Sequence, residues 1–546
     1  MFEKNYSVKI KDEIYNYKEK ITLKKLAKDL GFEAYLAKVN NRIRELDYYI
    51  NYDCEVQFLD LTNSESVRAY ETTLRFLTIM ALEKLYPNAK IKFTQGVSRT
   101  TAAAVEGVTV NSAFLKKLDA KMRELIDKDA DIVRFKLSKE EAIKLYLKQG
   151  YNDKIEALKY RPEDTVNIYQ CENYYNYLYG YMLPSMGYLN KYKLIQYYPN
   201  FLIAYPRSEL KGRIPRFEDS PSFGRMVREA QNWAINCECD DIVKLNSHAT
   251  QDSVIDLVNM CEAKHNNMLA ELGLIIKENI ENIRLIAIAG PSSSGKTTFS
   301  HRLRIELMTR GIRPLKISID DYYLDKSQAP KDEHGKPDLE HINAIDIELF
   351  NQHLVSLIDG EEVQLPHFNF KLGKRVLGEK IKIAHNQPII IEGIHALNEK
   401  LTTSIPKHQK FKIYISPLSQ INIDDHSQIN ATEIRQLRRI VRDAKYRQTL
   451  PSATFAMWAS VRRGEFKWIY PFQEEADYIY NSELTYELGV MRKYALPVLE
   501  AIDRNDEFFV DANRIVKFLK LIKEIDEKYV PCNSLLREFI GDSCFY

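Results

Sequence analysis

The chain has 546 residues, of which 45% are hydrophobic and 28% charged, and a formal net charge of +2. That length exceeds what one hydrophobic core supports and predicts about three to four domains. The near-neutral balance excludes a global electrostatic pull toward nucleic acid or acidic membrane, and no apolar run approaches the roughly 20 residues of a membrane span.

The opening stretch, MFEKNYSVKIKDE, carries acids and lacks the apolar core of a signal peptide. Seven scattered cysteines, with only Cys237 and Cys239 close together, fit reduced core thiols and a cytoplasmic location. Within residues 1–62, YSVKI and EIYNY alternate like strands. A short helix follows Thr22 and closes at Gly31, and AYLAKVN and CEVQFLD read as two further strands. Residues 63–250 are mixed, with amphipathic helices at ETTLRFLTIMALEKLYP and SAFLKKLDAKMRELIDKD. The run NIYQCENYYNYLYGY either packs its tyrosines against the body or lines a pocket with them. No histidine precedes His248, so no chemistry built on imidazole operates there.

Residues 251–283 form a linker helix, whose apolar face packs within the chain or against a second copy in a homo-oligomer. From 284 to 511, RLIAIA, PLKISI, QPIIIE, KFKIYIS and DYIYNS alternate with helical stretches. That is the pattern of a parallel sheet flanked by helices, an α/β architecture. Residues 512–546 add an amphipathic helix, RIVKFLKLIKEIDEKY, broken at Pro531, and the tail SLLREFIGDS.

Directly after RLIAIA, residues Gly290, Pro291, Ser292, Ser293, Ser294, Gly295, Lys296 and Thr297 spell G-x-x-x-x-G-K-T and lead through Thr298 into a helix. The two glycines let successive backbone N–H groups turn inward around phosphate oxygens. Lys296 then reaches the outer phosphates, and the Thr297 hydroxyl ligates Mg²⁺. In an open α/β sheet ligands gather at the carboxyl ends of the strands. PLKISI ends in Asp320, Asp321, Tyr322 and Tyr323, and QPIIIE ends in Glu392. Two carboxylates so placed suit phosphoryl transfer: one helps hold Mg²⁺, and one takes a proton from an attacking hydroxyl. Arg435, Arg438, Arg439 and Arg442 follow within one helical stretch and are expected to face the phosphates.

In that order SIDDYY, LEHINAID, VQLPHFNF, IIIEGIHAL and IRQLRRIVRDAKYR resemble the motifs of the phosphoribulokinase and uridine kinase family. The resemblance implies a P-loop kinase that uses ATP and Mg²⁺ to phosphorylate the 5′-hydroxyl of a nucleoside. In it Asp320 is the general base, and Lys296, Arg435 and Arg438 serve catalysis. Thr297, Asp320 and Glu392 surround the metal, and Tyr323, Glu340, His341, Phe368, Phe370 and Arg435 line the acceptor site. Glu340 stands where that family has aspartate, Phe368 where it has tyrosine, and Gly373 where it has a base-reading histidine, so the identity of the base is open. AKVNNRIRELDYYI resembles the ubiquitin-like β-grasp (TGS) domain, with Asn41 in a glycine position. Residues 63–250 resemble the α+β editing region of threonyl-tRNA synthetase, with Tyr70, Leu74, Leu178 and Met182 in place of its histidine and cysteine positions. The whole is similar to the subgroup in which such an N-terminal half precedes the kinase. A second reading is a nucleotide-responsive regulator that contacts RNA or tRNA through that half.

Overall fold

The computed structural model describes residues 5–332, 335–369, 372–384 and 386–545. Phe370 lies outside them.

The hairpin Tyr6–Ile10 and Glu13–Tyr17 joins the strands Cys54–Leu59, Leu36–Val39 and Arg42–Arg44 in one sheet, across which the helix Leu23–Asp29 packs. Thr22 caps that helix by accepting from Lys25 N. Val8, Leu23, Leu26, Val39 and Val56 close a small core, the β-grasp arrangement that the resemblance implies.

Next comes an antiparallel sheet in the order Lys193–Tyr197, Asn200–Ala204, Thr101–Glu106, Lys90–Gln95. A three-stranded sheet, Val133–Ser138, Thr165–Cys171 and Tyr174–Asn176, stands beside it. The helix Ser64–Leu85 runs through this region and is buried on most sides. Tyr70, Leu74, Leu178 and Met182 are each at most 1% exposed, so the positions that could have held an imidazole site are filled core.

The helix Gln251–Glu278 buries Leu257, Val258, Leu269, Leu272 and Ile276 in the same core as Leu303 and Leu307 of the P-loop helix, so its apolar face is satisfied within the chain. The C-terminal sheet is wholly parallel. From one edge to the other its order is Leu315–Ser318, Ile389–Glu392, Leu285–Ala289, Lys410–Ser416 and Tyr478–Asn481. Its five strands are the five apolar runs read from the sequence, and helices cover it. The C-terminal helix spans Phe509–Leu519, starting earlier and stopping sooner than its periodicity predicts. The tail then turns back, and Leu535, Leu536, Phe539 and Ile540 are fully buried in the core that the parallel sheet shares with the P-loop helix.

The N-terminal half and the sheet region interlock. Asn422 Nδ2 donates to Phe93 O at 2.7 Å, Phe93 N donates to Asp425 O at 2.9 Å, and Arg514 bridges Glu65 at 2.6 Å to Glu433 at 2.8 Å.

Candidate active site

Strand Leu285–Ala289 ends at the P-loop, and the helix Lys296–Thr309 begins inside it. Ser293 and Gly295 hold positive φ of 60° and 89°, the turn that points backbone amides inward. A side chain on Gly290 would meet Ile415 O at 2.0 Å, so that position also needs glycine for close packing. Lys296 Nζ donates to Gly290 O at 3.0 Å and Pro291 O at 3.3 Å. Burial pulls its ammonium pKa down, while Glu392, Asp320 and Glu538 oppose that shift.

The two acidic neighbours at the end of Leu315–Ser318 divide their roles. Asp321 is spent on structure: its carboxylate accepts from Phe368 N at 3.1 Å and sits 3.0 Å from His367 Nδ1, pinning the hairpin Val363–Asn369/Lys374–Ile381. Asp320 instead interacts electrostatically with Lys296 of the P-loop. Burial raises its pKa, Lys296 opposes, Asp321 adds, and Arg447 and Arg442 oppose. Glu392 ends the adjacent strand, with Oε1 3.4 Å from Thr297 Oγ1. Burial pushes it up to about 7; Lys316 and Lys296 oppose, and Asp320 and Glu538 add to the rise. Thr297, Asp320 and Glu392 thus form a crowded anionic corner beside the P-loop, and a divalent cation would relieve it. Among the described residues no cluster of three or more His, Cys, Asp or Glu could hold a metal by itself.

The arginine helix, Ala431–Tyr446, is buried rather than a solvated basic face, and its guanidiniums separate into two sets. Arg435 pairs with Glu465, with Nη2 at 3.0 Å from Oε2, and its Nη1 donates to Ser292 O at 3.3 Å. Arg438, fully buried, donates from Nε to Glu487 at 3.0 Å and lies 3.5 Å from Ser293 O. Burial pushes the Glu465 carboxyl up, but Arg435 and Arg462 outweigh it and hold it below the usual range. The charges of Arg435 and Arg438 are therefore balanced by carboxylates, and both clamp the P-loop backbone. The second set converges on Asp443: Arg439, Arg442 and Arg447 lie 3.3, 3.0 and 3.5 Å from its carboxylate. Three guanidiniums on one carboxylate leave positive charge in excess. Arg439 also donates to Ser292 Oγ at 3.0 Å, which brings that excess to the phosphate side.

On the acceptor side, the Tyr323 ring lies edge-on to Phe368 at 5.7 Å. Glu340 is pushed up to about 7 by burial; Arg439 opposes, and Glu465 and Asp320 add. A side chain on Gly464 would meet Glu340 Cβ at 2.6 Å, so the helix Pro451–Gly464 closes over the site because that residue is glycine. Its next turn, Glu465–Ile469, is π-helical and brings Trp468 over His341 at 4.7 Å and His395 at 6.1 Å. His395 is fully buried; burial holds its pKa down to about 3, and a backbone hydrogen bond with Glu340 opposes that shift. Gly373, at φ 64°, packs against Lys326 and adds no polar group.

Four residues of the site escaped the sequence reading. Lys316 and Arg447 bring charge from the strand beside Glu392 and from the end of the arginine helix, and Glu465 neutralises Arg435. Glu538, from the C-terminal tail, accepts from Thr298 N at 3.0 Å. Nothing local in the sequence marks Glu538, because its role depends on the tail folding back across Gly295, where a side chain would strike Leu535 at 2.4 Å.

Residues 285–487 match the Phosphoribulokinase / Uridine kinase family. The chain is 29% identical over 196 residues to a uridine kinase of Halalkalibacterium halodurans, covering 36% of this chain and 84% of that one. It is also 29% identical over 173 residues to a threonine–tRNA ligase of Clostridium kluyveri, covering 31% of this chain and 27% of the ligase. The chain thus spans about a quarter to a little over a third of the ligases it matches, 27–37% of their length. A solved structure titled "Possible Uridine Kinase", from Bacillus stearothermophilus, aligns with TM-score 0.25 at 16% identity, covering 37% of this chain and 89% of that one. The parallel-sheet region is thus similar to the phosphoribulokinase / uridine kinase family over residues 285–487, and it follows an N-terminal region similar to threonine–tRNA ligases.

Proposed function

We propose that the protein is an ATP-dependent kinase that phosphorylates the 5′-hydroxyl of a nucleoside. The observation that carries this reading is the division between Asp320 and Asp321. One carboxylate is consumed by the hairpin, and the other is coupled to Lys296 and Arg447 at the mouth of the P-loop. A site that only sensed nucleotide would need no such base.

In this reading the P-loop amides and Lys296 hold the ATP phosphates, and Thr297, Glu392 and Asp320 would hold Mg²⁺, which would supply positive charge to the phosphates. Asp320 accepts the proton of the acceptor hydroxyl as its oxygen attacks the γ-phosphorus in line, and the bond to the bridging oxygen breaks to leave ADP. Arg439, Arg442 and Arg447 stabilise the charge on the transferring group, while Arg435 and Arg438 hold the loop in shape. Glu340 accepts from the sugar hydroxyls, and Tyr323, His341 and Phe368 wall the acceptor.

The test is incubation with ATP, Mg²⁺ and a panel of nucleosides, followed by chromatography for monophosphates. The reading predicts a monophosphate that is absent in Asp320→Asn; no monophosphate from any nucleoside would overturn it.

A further inference from the structure

A cavity of about 590 Å³ opens where the N-terminal half meets the kinase region, away from the P-loop. Its volume lies inside the roughly 300–1,000 Å³ typical of small-molecule sites. It is not a remnant of an editing centre, since Tyr70, Leu74, Leu178 and Met182 are packed core. The cavity instead uses the neighbouring face of the helix Ser64–Leu85, through Glu71, Thr72 and Arg75.

We propose that this cavity is a second binding site, separate from the P-loop, for a phosphorylated ligand of the nucleotide class.

Charge is the first argument. Eleven basic side chains line the cavity against five acidic ones, although the whole chain carries only +2. Each acid already has a cation. Glu65 and Glu433 share Arg514, Glu71 holds Arg75 at 3.1 Å, Glu163 holds Arg161 at 3.3 Å, and Asp424 holds Lys154 at 3.1 Å. Among the described residues Arg42, Lys136, Arg504 and Lys517 have no carboxylate within 4.0 Å. Lys517 stays open to solvent within the concave wall, 5.6 Å from the centre of the Tyr181 ring. An anion with more than one charge is the complement such a wall lacks.

The remainder of the lining argues for a ring on that anion. Tyr177, Tyr179 and Tyr181, from the tyrosine-rich run, supply aromatic surface; Asn167, Asn430 and Asn513 supply amides. Gln428 Oε1 is buried with no hydrogen-bond partner among the described residues, an acceptor suited to an exocyclic amino group. Inorganic phosphate would leave this surface unused. A polymeric RNA would want a broad basic track that a net charge of +2 does not supply. Asn430 also caps the arginine helix, accepting from Thr432 N at 3.1 Å, so the cavity abuts the element that clamps the P-loop.

The test uses equilibrium dialysis of the full chain with ATP, GTP, CMP and inorganic pyrophosphate, each with Mg²⁺ near neutral pH. One nucleotide is expected to saturate wild type at two per chain and Lys296→Ala at one per chain. The exposed pair Lys136→Gln/Lys517→Gln should weaken the second event at least tenfold, leaving one per chain and an unchanged thermal midpoint. The proposal is overturned if no nucleotide binds beyond one per chain, or if the double variant leaves the second event within twofold. It is equally overturned if pyrophosphate binds as tightly as every nucleotide.

Discussion

Glu538→Gln separates tail docking from donor binding. The wild-type carboxylate accepts from Thr298 N at the third residue of the P-loop helix, where the helix N-terminus also attracts phosphate. A carboxylate cap of this kind contributes about 0.5–2 kcal/mol. ATP bound at the same amides must displace the tail or tolerate the negative charge beside it. Linkage makes the two effects equal and opposite, so what the charge contributes to tail docking it subtracts from ATP affinity. Glutamine keeps the shape and a neutral acceptor but removes the charge. Calorimetric titration of Glu538→Gln with ATP and Mg²⁺ should therefore give a dissociation constant roughly three- to thirtyfold lower than wild type. The thermal midpoint without nucleotide should fall slightly, and the tail should become easier to cleave with protease. An ATP affinity that is unchanged or weaker would refute the competition.

Asp320→Asn should lower kcat by about 10²–10⁴-fold while leaving ATP affinity nearly unchanged, measured by coupled ADP release and by titration. Arg438→Met leaves Glu487 buried without its cation, so it should cost about 3–5 kcal/mol of stability, read as a large fall in thermal midpoint. Arg439→Met should instead keep most of the stability and lose about 10²-fold or more in kcat, because its charge is in excess beside Asp443. Glu340, pushed up to about 7 by burial, is protonated in more of the folded than of the unfolded chain below that pH. Its contribution to stability is complete below about 4.5 and is lost as pH rises through 7, by about 3 kcal/mol at most. Glu340→Gln should flatten that decline in a pH series of thermal midpoints, and wild-type KM for the acceptor should fall as pH rises through 7.

Local signals carried much of the site. The P-loop glycines, Asp320 and Glu392 were readable because short apolar strands announce where a parallel sheet ends, and chemistry collects there. The β-grasp hairpin was readable from alternation and the Thr22 cap. The arginine segment was visible as a stretch, but its division was not. Which guanidinium is neutralised depends on Glu465, thirty residues on, and on Glu487, forty-nine on, placed by tertiary packing. Glu538 was invisible for the same reason, as was the union of Trp468, His341 and His395, which requires a π-helical turn after Gly464. The cavity draws on Arg42, Lys136, Arg504 and Lys517, cations more than 450 residues apart at the extremes, and the near-zero net charge conceals that concentration.

The most direct measurement of the central claim is phosphorus NMR of the full chain with ATP, Mg²⁺ and the nucleoside panel. The account predicts a new monophosphate ester resonance that grows in step with ADP, bears its phosphate on the 5′-oxygen and disappears in Lys296→Ala. ADP accompanied only by inorganic phosphate, or no turnover of ATP with any nucleoside, would contradict it.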